Sequence, residues 1–561
     1  MSPNNTATTS KKPLDSAAVA PLPPEGKGPG DGVTGTAVKL EGGTYEILRN
    51  RLQKSGADLK ARLDLLNAER KTVFGAIDTK LIGTGRVNTE HNCVPRDMVP
   101  VGSSFLFGYN VVIGLKTEVE LSDVFGAYSY ANHEFQPLPL DLVANPQFAE
   151  EFRNLYKYYK NTQFVKFAVL GSHLFMVFRV GKSANDIKTF KWLLQGDTLA
   201  YIDNRSDHEY GFPPQHEFAW KRTTRDMQRA GKHPHISVED KVFVETIHGD
   251  LTIKIEDNTA TGRGIYSEPV ADKDQTLDDS EIYYAVVGNI ILLKIRPYQE
   301  QDYRYFIYNA KLQTAQRLDA LAEACVLLPD NQGLIFPHGF YLQTGEGKLF
   351  EKGLRDMLFE KRIVSPNGED FLYVFYNKEQ GAYLLLSYNI IAQRVDNPIS
   401  CHGYALFENG ELCYFRKDDE PKKHHAVQIW QTPYVAPNFE LPVTSDSYLY
   451  KLGNKEIVRA MSEAQEVLTL LDKDDSYAGL YLDLIRLTGT LTDTYHWLRE
   501  PAAQALAEPL RDIRQAANAA VEEFDKVLSI RKSTGAETQR VLARADELTG
   551  RIRRTTADQY G

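Results

Sequence analysis

Cysteine is scarce in this sequence, with four among 561 residues (Cys93, Cys325, Cys401 and Cys413) and no CxxC pair. Such scatter supports neither a disulfide framework nor a zinc knuckle, and buried free thiols are the expectation. Long hydrophobic runs are missing too. No stretch reaches the ~18 continuous apolar residues of a membrane span, and the apolar stretch from Ala17 to Pro23 is too short and proline-rich for a signal peptide. A reduced, cytoplasmic setting without membrane contact is expected. Positive charge is not in excess, since 65 Lys and Arg face 75 Asp and Glu, giving a net charge of −10. No global field therefore draws the chain to nucleic acid, and any basic surface must be local.

Catalytic signatures are equally thin. Gly345-Glu-Gly-Lys348 and Gly83-Thr-Gly-Arg86 lack the spacing and the following Ser or Thr of a phosphate-binding loop. No GxSxG nucleophile elbow and no HExxH metal motif occur. No cofactor is expected in this chain. His233-Pro-His235 and His424-His425 lie in polar loops without a Cys or carboxylate at ligand spacing, so solvated loops are expected there. Glu90-His-Asn-Cys93 packs three ligand-capable side chains together but has no second cluster. Asp418-Asp419 and Asp474-Asp475 read as solvated acids.

Residues 1–43 hold six prolines and seven glycines among Ser, Thr and Asn. Such a segment buries too little apolar surface to offset its ordering entropy and reads as a disordered tail. Over 44–78, Tyr45, Leu48, Leu52, Leu59, Leu66 and Val73 fall near heptad spacing, which predicts an amphipathic helix. Gly83, Gly85 and Pro95 mark 79–102 as an irregular connector.

Over 103–440 one pattern recurs: a short β-like run, a glycine turn and a second β-like run. Gly108, Gly171, Gly249, Gly288, Gly333, Gly368 and Gly410 are read as the turn glycines. Apart from two longer gaps beside Gly171 they stand 35 to 45 residues apart, the period of propeller blades. Third and fourth strands succeed these in several units, as in Ile187–Trp192 with Asp197–Ile202 and Tyr303–Tyr308 with Gln313–Leu318. The fold expected is mainly β with helical ends: a β-propeller of about seven blades, between an N-terminal helix and a C-terminal helical or coiled-coil region at 441–561. In that last region Leu506, Leu510, Ile513, Ala517, Ala520, Phe524 and Val527 step by four and three, and Val541, Ala545, Leu548 and Ile552 resume the register. Both a coiled coil and a small helical bundle satisfy this spacing. The N-terminal helix is a candidate partner for that seam.

One local charge stands out. Between Trp220 and His235, five cations (Lys221, Arg222, Arg225, Arg229, Lys232) face only Asp226. The segment reads as an insertion projecting from a blade. Its cations are suited to phosphates and Trp220 to stacking on a base, and a solvated basic face is the plainer alternative.

The stretch Arg86-Val-Asn-Thr-Glu-His-Asn-Cys-Val-Pro-Arg-Asp97, the segment Gly102–Tyr130, and Trp220–Asp257 with its Thr-Arg-Asp-Met core and Lys232-His-Pro-His-Ile236 resemble a large bacterial family of DNA-repair ATPases. The resemblance runs over about 44–440. It implies a longer parent with coiled coil after the β region and an AAA-type ATPase module near its C-terminus. The family's Walker motifs match nothing here, so the chain resembles the N-terminal part. The role this implies is a non-catalytic binding platform for DNA, a protein partner or a second copy through the coiled coil. The competing readings are an enzyme with its site in the central channel, marked by convergent carboxylates or histidines with shifted pKa values, and a pure scaffold.

Overall fold

A computed structural model describes residues 20–21, 43–111, 118–350, 353–416, 418–473, 477 and 479–560. The tail expected over 1–43 lies almost wholly outside these residues, as does Asp474-Asp475. The chain divides into a β unit, essentially 75–442, and a helical unit built from 43–74 and 443–560.

The β unit is antiparallel throughout its named sheets. Four sheets succeed one another along the chain, at 163–203, 235–269, 281–317 and 326–349, each with four strands in simple succession. The last three also accept a two-residue strand at one edge, and for the 326–349 sheet this is Ala20–Pro21. A fifth, eleven-stranded sheet joins both ends of the unit, running from Met357–Val364 through Lys422–Gln431 to Lys80–Val101 and on to Glu134–Leu138.

Lys80–Val101, expected as an irregular connector, is a strand of 22 residues. Its first half pairs with Lys422–Gln431 and its second half with Ser104–Val111. The glycines and the proline that suggested a connector are absorbed by register shifts at Leu81/Gly83, Asn88/Cys93 and Pro95/Asp97. A bulge lets a strand bend and carry a residue without an N–H.

Gly171, Gly249, Gly288, Gly368 and Gly410 sit in hairpin turns with φ between +61° and +92°, a region glycine enters at little cost. Gly333 (φ +152°) opens the strand Gly333–Phe336 just after its turn. Gly108 is different, because it lies inside Ser104–Val111 rather than in a turn. A Cβ there would stand 2.1 Å from the Phe164 ring. Close packing explains it; the turn itself uses Gly102 (φ +58°).

The helical unit comprises α1 (Gly43–Phe74), α3 (Tyr448–Leu452), α4 (Asn454–Asp472), α5 (Leu480–Thr494) and α6 (Ala507–Tyr560), while α2 (Pro146–Tyr158) belongs to the β unit. Helix α1 packs on α4 and α6, and α5 on α4 and α6. The seam Leu510, Ile513, Ala517, Ala520 and Phe524 is buried inside this bundle, so this half of the heptad pattern belongs to a small bundle. Tyr45 stacks on Phe524 at 6.0 Å and shares a 2.7 Å hydroxyl contact with Tyr481. Farther along α6, Val541, Leu542, Leu548 and Ile552 are exposed. Leu66 is fully buried in α1. Leu66→Ala should destabilise the helical unit by about 2–5 kcal/mol, read from helical circular dichroism during denaturant unfolding.

Candidate functional site

The basic segment does not project. Residues 212–229 form a strap along the first strands of four sheets. Gln215 bonds both backbone groups of Phe359, accepting from its N–H at 2.6 Å and donating to its carbonyl at 3.0 Å. His216 bridges to Cys325, with Cys325 N–H donating to the Gln215 carbonyl at 2.8 Å. Lys221 and Arg222 then pair with Tyr284 and Tyr283, and Gln228 and Arg229 with Ile236 and His235. Local sequence favours this extended path. Pro213-Pro214 denies the chain a helix, and Phe218 and Trp220 alternate with Glu217 and Lys221 at the period of a strand.

Several of the residues read as a nucleic-acid surface have partners within the β unit. Trp220 is half-buried, edge-on to Tyr305 at 6.0 Å and to Phe218 at 5.4 Å, which occupies the ring expected to stack on a base. Arg225 pairs with Asp278 at 3.1 Å, and Arg229 with Asp240 at 3.4 Å and Asp257 at 3.7 Å. Lys221 lies over the Tyr284 ring at 5.9 Å. Lys221, Arg222, Arg225 and Lys232 are all exposed. Asp240, Asp257 and Asp278 are the acids that stand beside the cations of this segment.

Where the strap begins, side chains from strands far apart in sequence meet in a buried ionic cluster. Lys166, 1% exposed, pairs with Glu360 at 2.8 Å and lies 4.3 Å from the Tyr376 ring centre and 5.0 Å from that of Tyr383. Burial alone would lower the Lys166 pKa, yet Glu360, Tyr210 and Asp97 hold it above the ordinary lysine value. Asp97 accepts from Met98 N at 2.9 Å, Phe167 N at 2.9 Å and Tyr383 Oη at 2.7 Å. Its complete burial pushes its pKa up to about 7, against the pull of Lys166 and those donors. Lys361 is depressed, chiefly by burial. Gly403 is required beside Asp97, since a Cβ there would come within 2.6 Å of the Asp97 backbone. A cavity of about 290 Å³ adjoins the cluster, walled by Val165, Val177, Tyr210, Phe212 and Tyr376, with Arg179 and Lys378 also lining it.

The sequence reading missed this cluster. Its one signal is Lys166, a lysine inside the apolar run Phe164–Val169. Within the cluster Lys166 pairs with Glu360 Oε1 and Asp97 accepts from three donors. Two buried polar atoms, Glu360 Oε2 and Tyr376 Oη, find no hydrogen-bond partner among the described residues.

The four cysteines are buried, and burial raises each thiol, Cys93 to about 11 and Cys413 to about 12. Cys93 meets His425 Nε2 at 3.3 Å, without a third ligand among the described residues. Asp418 is held by Lys422 at 2.6 Å and Asp419 by His402 at 3.2 Å.

The profile of a family described as "ATPase involved in DNA repair" matches residues 58–496. The chain belongs to that family. No curated protein matches the chain. Among solved structures it is similar to the extracellular domain of a hybrid two component system from B. thetaiotaomicron (9% identity, TM-score 0.17), covering 65% of this chain and 34% of that one. It is also similar to a chain from a study of two prolyl endopeptidases (9% identity, TM-score 0.15), covering 67% and 51%. The chain thus spans about a third and a half of those structures. Among the described residues, no helix of this DNA-repair ATPase family member is long and apolar enough to cross a membrane.

The buried cluster makes two measurable demands. Lys166→Met should cost about 3–5 kcal/mol in denaturant unfolding, because Glu360 is left buried and unpaired, and Lys166→Met/Glu360→Leu should recover most of it. Asp97 has an ordinary carboxyl value of 3.8 and sits near 7 in the fold. Between those values the native chain keeps a proton that the unfolded chain has lost, so stability falls as pH rises through the window and levels off above it. In Asp97→Asn, denaturant midpoints measured across the window should lose that component of the slope.

Proposed function

We propose that the β unit is a closed seven-bladed propeller serving as a non-catalytic platform, which positions a partner for the ATPase reaction of its family. The strap is the observation that carries this reading. In a propeller the first strand of each blade lines the axis, and here residues 212–229 lie against the first strands of four sheets. A channel enzyme needs that space for substrate; this chain fills it with itself. Ring closure is supported by Lys80–Val101, which pairs at once with the last strand, Lys422–Gln431, and with the second, Ser104–Val111. It is also supported by Lys166 reaching Glu360 from a sheet far along the chain, as happens when inner strands face one another across an axis.

The exposed apolar residues of α6 between Val541 and Ile552 keep heptad spacing. In this reading they pair with a second copy or with the helix of an ATPase module and pass the docked state on. The ATPase role itself rests on the family. A protein partner is favoured over DNA, because Trp220 packs edge-on to Tyr305 and Arg229 is paired with Asp240 and Asp257.

Hydrogen exchange tests the strap. The Glu217 and Thr223 amides, bonded to the Cys325 and Ile282 carbonyls, should be protected as strongly as the sheets. Exchange at loop rates would open the axis and restore the channel-enzyme reading. The chain alone should hydrolyse no ATP above buffer, and turnover abolished by Lys166→Met would overturn the platform role. Salt-titrated fluorescence anisotropy with duplex and single-stranded DNA then compares the parent with Arg222→Glu/Arg225→Glu/Lys232→Glu. Unchanged affinity and salt slope remove DNA as the partner of this surface.

A further inference from the structure

The sequence places His233 without a ligand partner, but the fold supplies two. His233 sits in the loop entering strand His235–Val238, Glu245 ends strand Val242–Glu245, and His248 lies in the turn leading to strand Asp250–Lys254. Three short segments of one sheet therefore converge. One ligand atom from each residue lies within 4.8 Å of the other two. His233 Nδ1 is 2.9 Å from Glu245 Oε1, and the two imidazoles stand edge to face at 4.9 Å.

We propose that His233, Glu245 and His248 form a binding site for a divalent transition-metal ion of the zinc class. Two imidazoles and a carboxylate are a borderline donor set that suits zinc, cobalt or nickel rather than calcium or magnesium. A metal with ligands at about 2.0–2.2 Å separates adjacent donor atoms by slightly more than the present His233–Glu245 contact, so small side-chain rotations seat it. The carboxylate is preset. Glu245 is 3% exposed, and its other oxygen lies 2.5 Å from Lys254 Nζ, which in turn donates to the Thr261 carbonyl at 3.0 Å. This outer contact orients Glu245 as second ligands do in metal sites.

The loop is preset as well. The His233 N–H donates to the Thr259 carbonyl at 2.8 Å. Gly262 leaves the imidazole its room, since a Cβ there would lie 2.8 Å from Nδ1. His248 is exposed and its Nε2 reaches the Lys232 carbonyl at 3.1 Å, so this arm swings with little cost. Three protein ligands with an outward-facing third leave a coordination position open to water, unlike a closed structural site. The lysine beside the carboxylate opposes a cation, so affinity falls below that of an all-cysteine site.

The test uses the full chain stripped with chelator, then titrated with Co²⁺ by visible absorption and with Zn²⁺ by calorimetry. One equivalent per chain is expected, with cobalt bands of a nitrogen- and oxygen-ligated low-coordinate site. His248→Ala, at an exposed position, should weaken binding by about 100-fold or more. His424→Ala, on another sheet, should leave it unchanged. Glu245→Gln strands Lys254 and is secondary, because it also perturbs folding. Absence of stoichiometric uptake, or equal affinity in parent and His248→Ala, overturns the proposal.

Discussion

The pairing of Lys80–Asn88 with His424–Gln431 is the contact on which the β unit depends. It joins the first strand of the unit to the last by one set of backbone hydrogen bonds, within a single eleven-stranded sheet. A single strand spans two neighbouring groups because its register slips three times and bends it from one partner to the next. Antiparallel sheets otherwise end in open edges that invite pairing with other chains. Joining first to last leaves fewer edges open.

The buried cluster is a product of that constraint. Strands drawn toward a common interior bring their inward side chains together, and four of these are Asp97, Lys166, Glu360 and Lys361. Charges taken out of water are tolerated only when paired and hydrogen-bonded. Lys166 therefore sits on Glu360 between the faces of Tyr376 and Tyr383, and Asp97 collects two backbone amides and a phenol.

The strand pattern was plain in the sequence wherever neighbours in sequence are neighbours in space. Gly171, Gly249, Gly288, Gly368 and Gly410 were legible because a tight hairpin needs positive φ. Gly108 was misread since a glycine demanded by the ring of Phe164 looks the same as one demanded by a turn. The strap was misread for a related reason. Its alternation at Phe218 and Trp220 was visible, but its partners lie at Tyr283, Cys325 and Phe359, beyond any local pattern. The same holds for His233, whose companions Glu245 and His248 arrive from the next hairpin, and for the heptad seam of α6, whose first half spends its apolar face on α1 and α5. Periodicity announces that a face is buried; it does not name what covers it.

The strap also has a consequence for biogenesis. It leaves the ribosome well before most of its partners, for Gln215 waits on a strand 144 residues later in the chain. Trp220 likewise waits for Tyr305 and Phe212 for Tyr376. Such long sequence separations slow folding and leave nascent chains prone to association. Synthesis interrupted before Tyr305 would therefore release a chain in which these aromatic side chains lack their later partners.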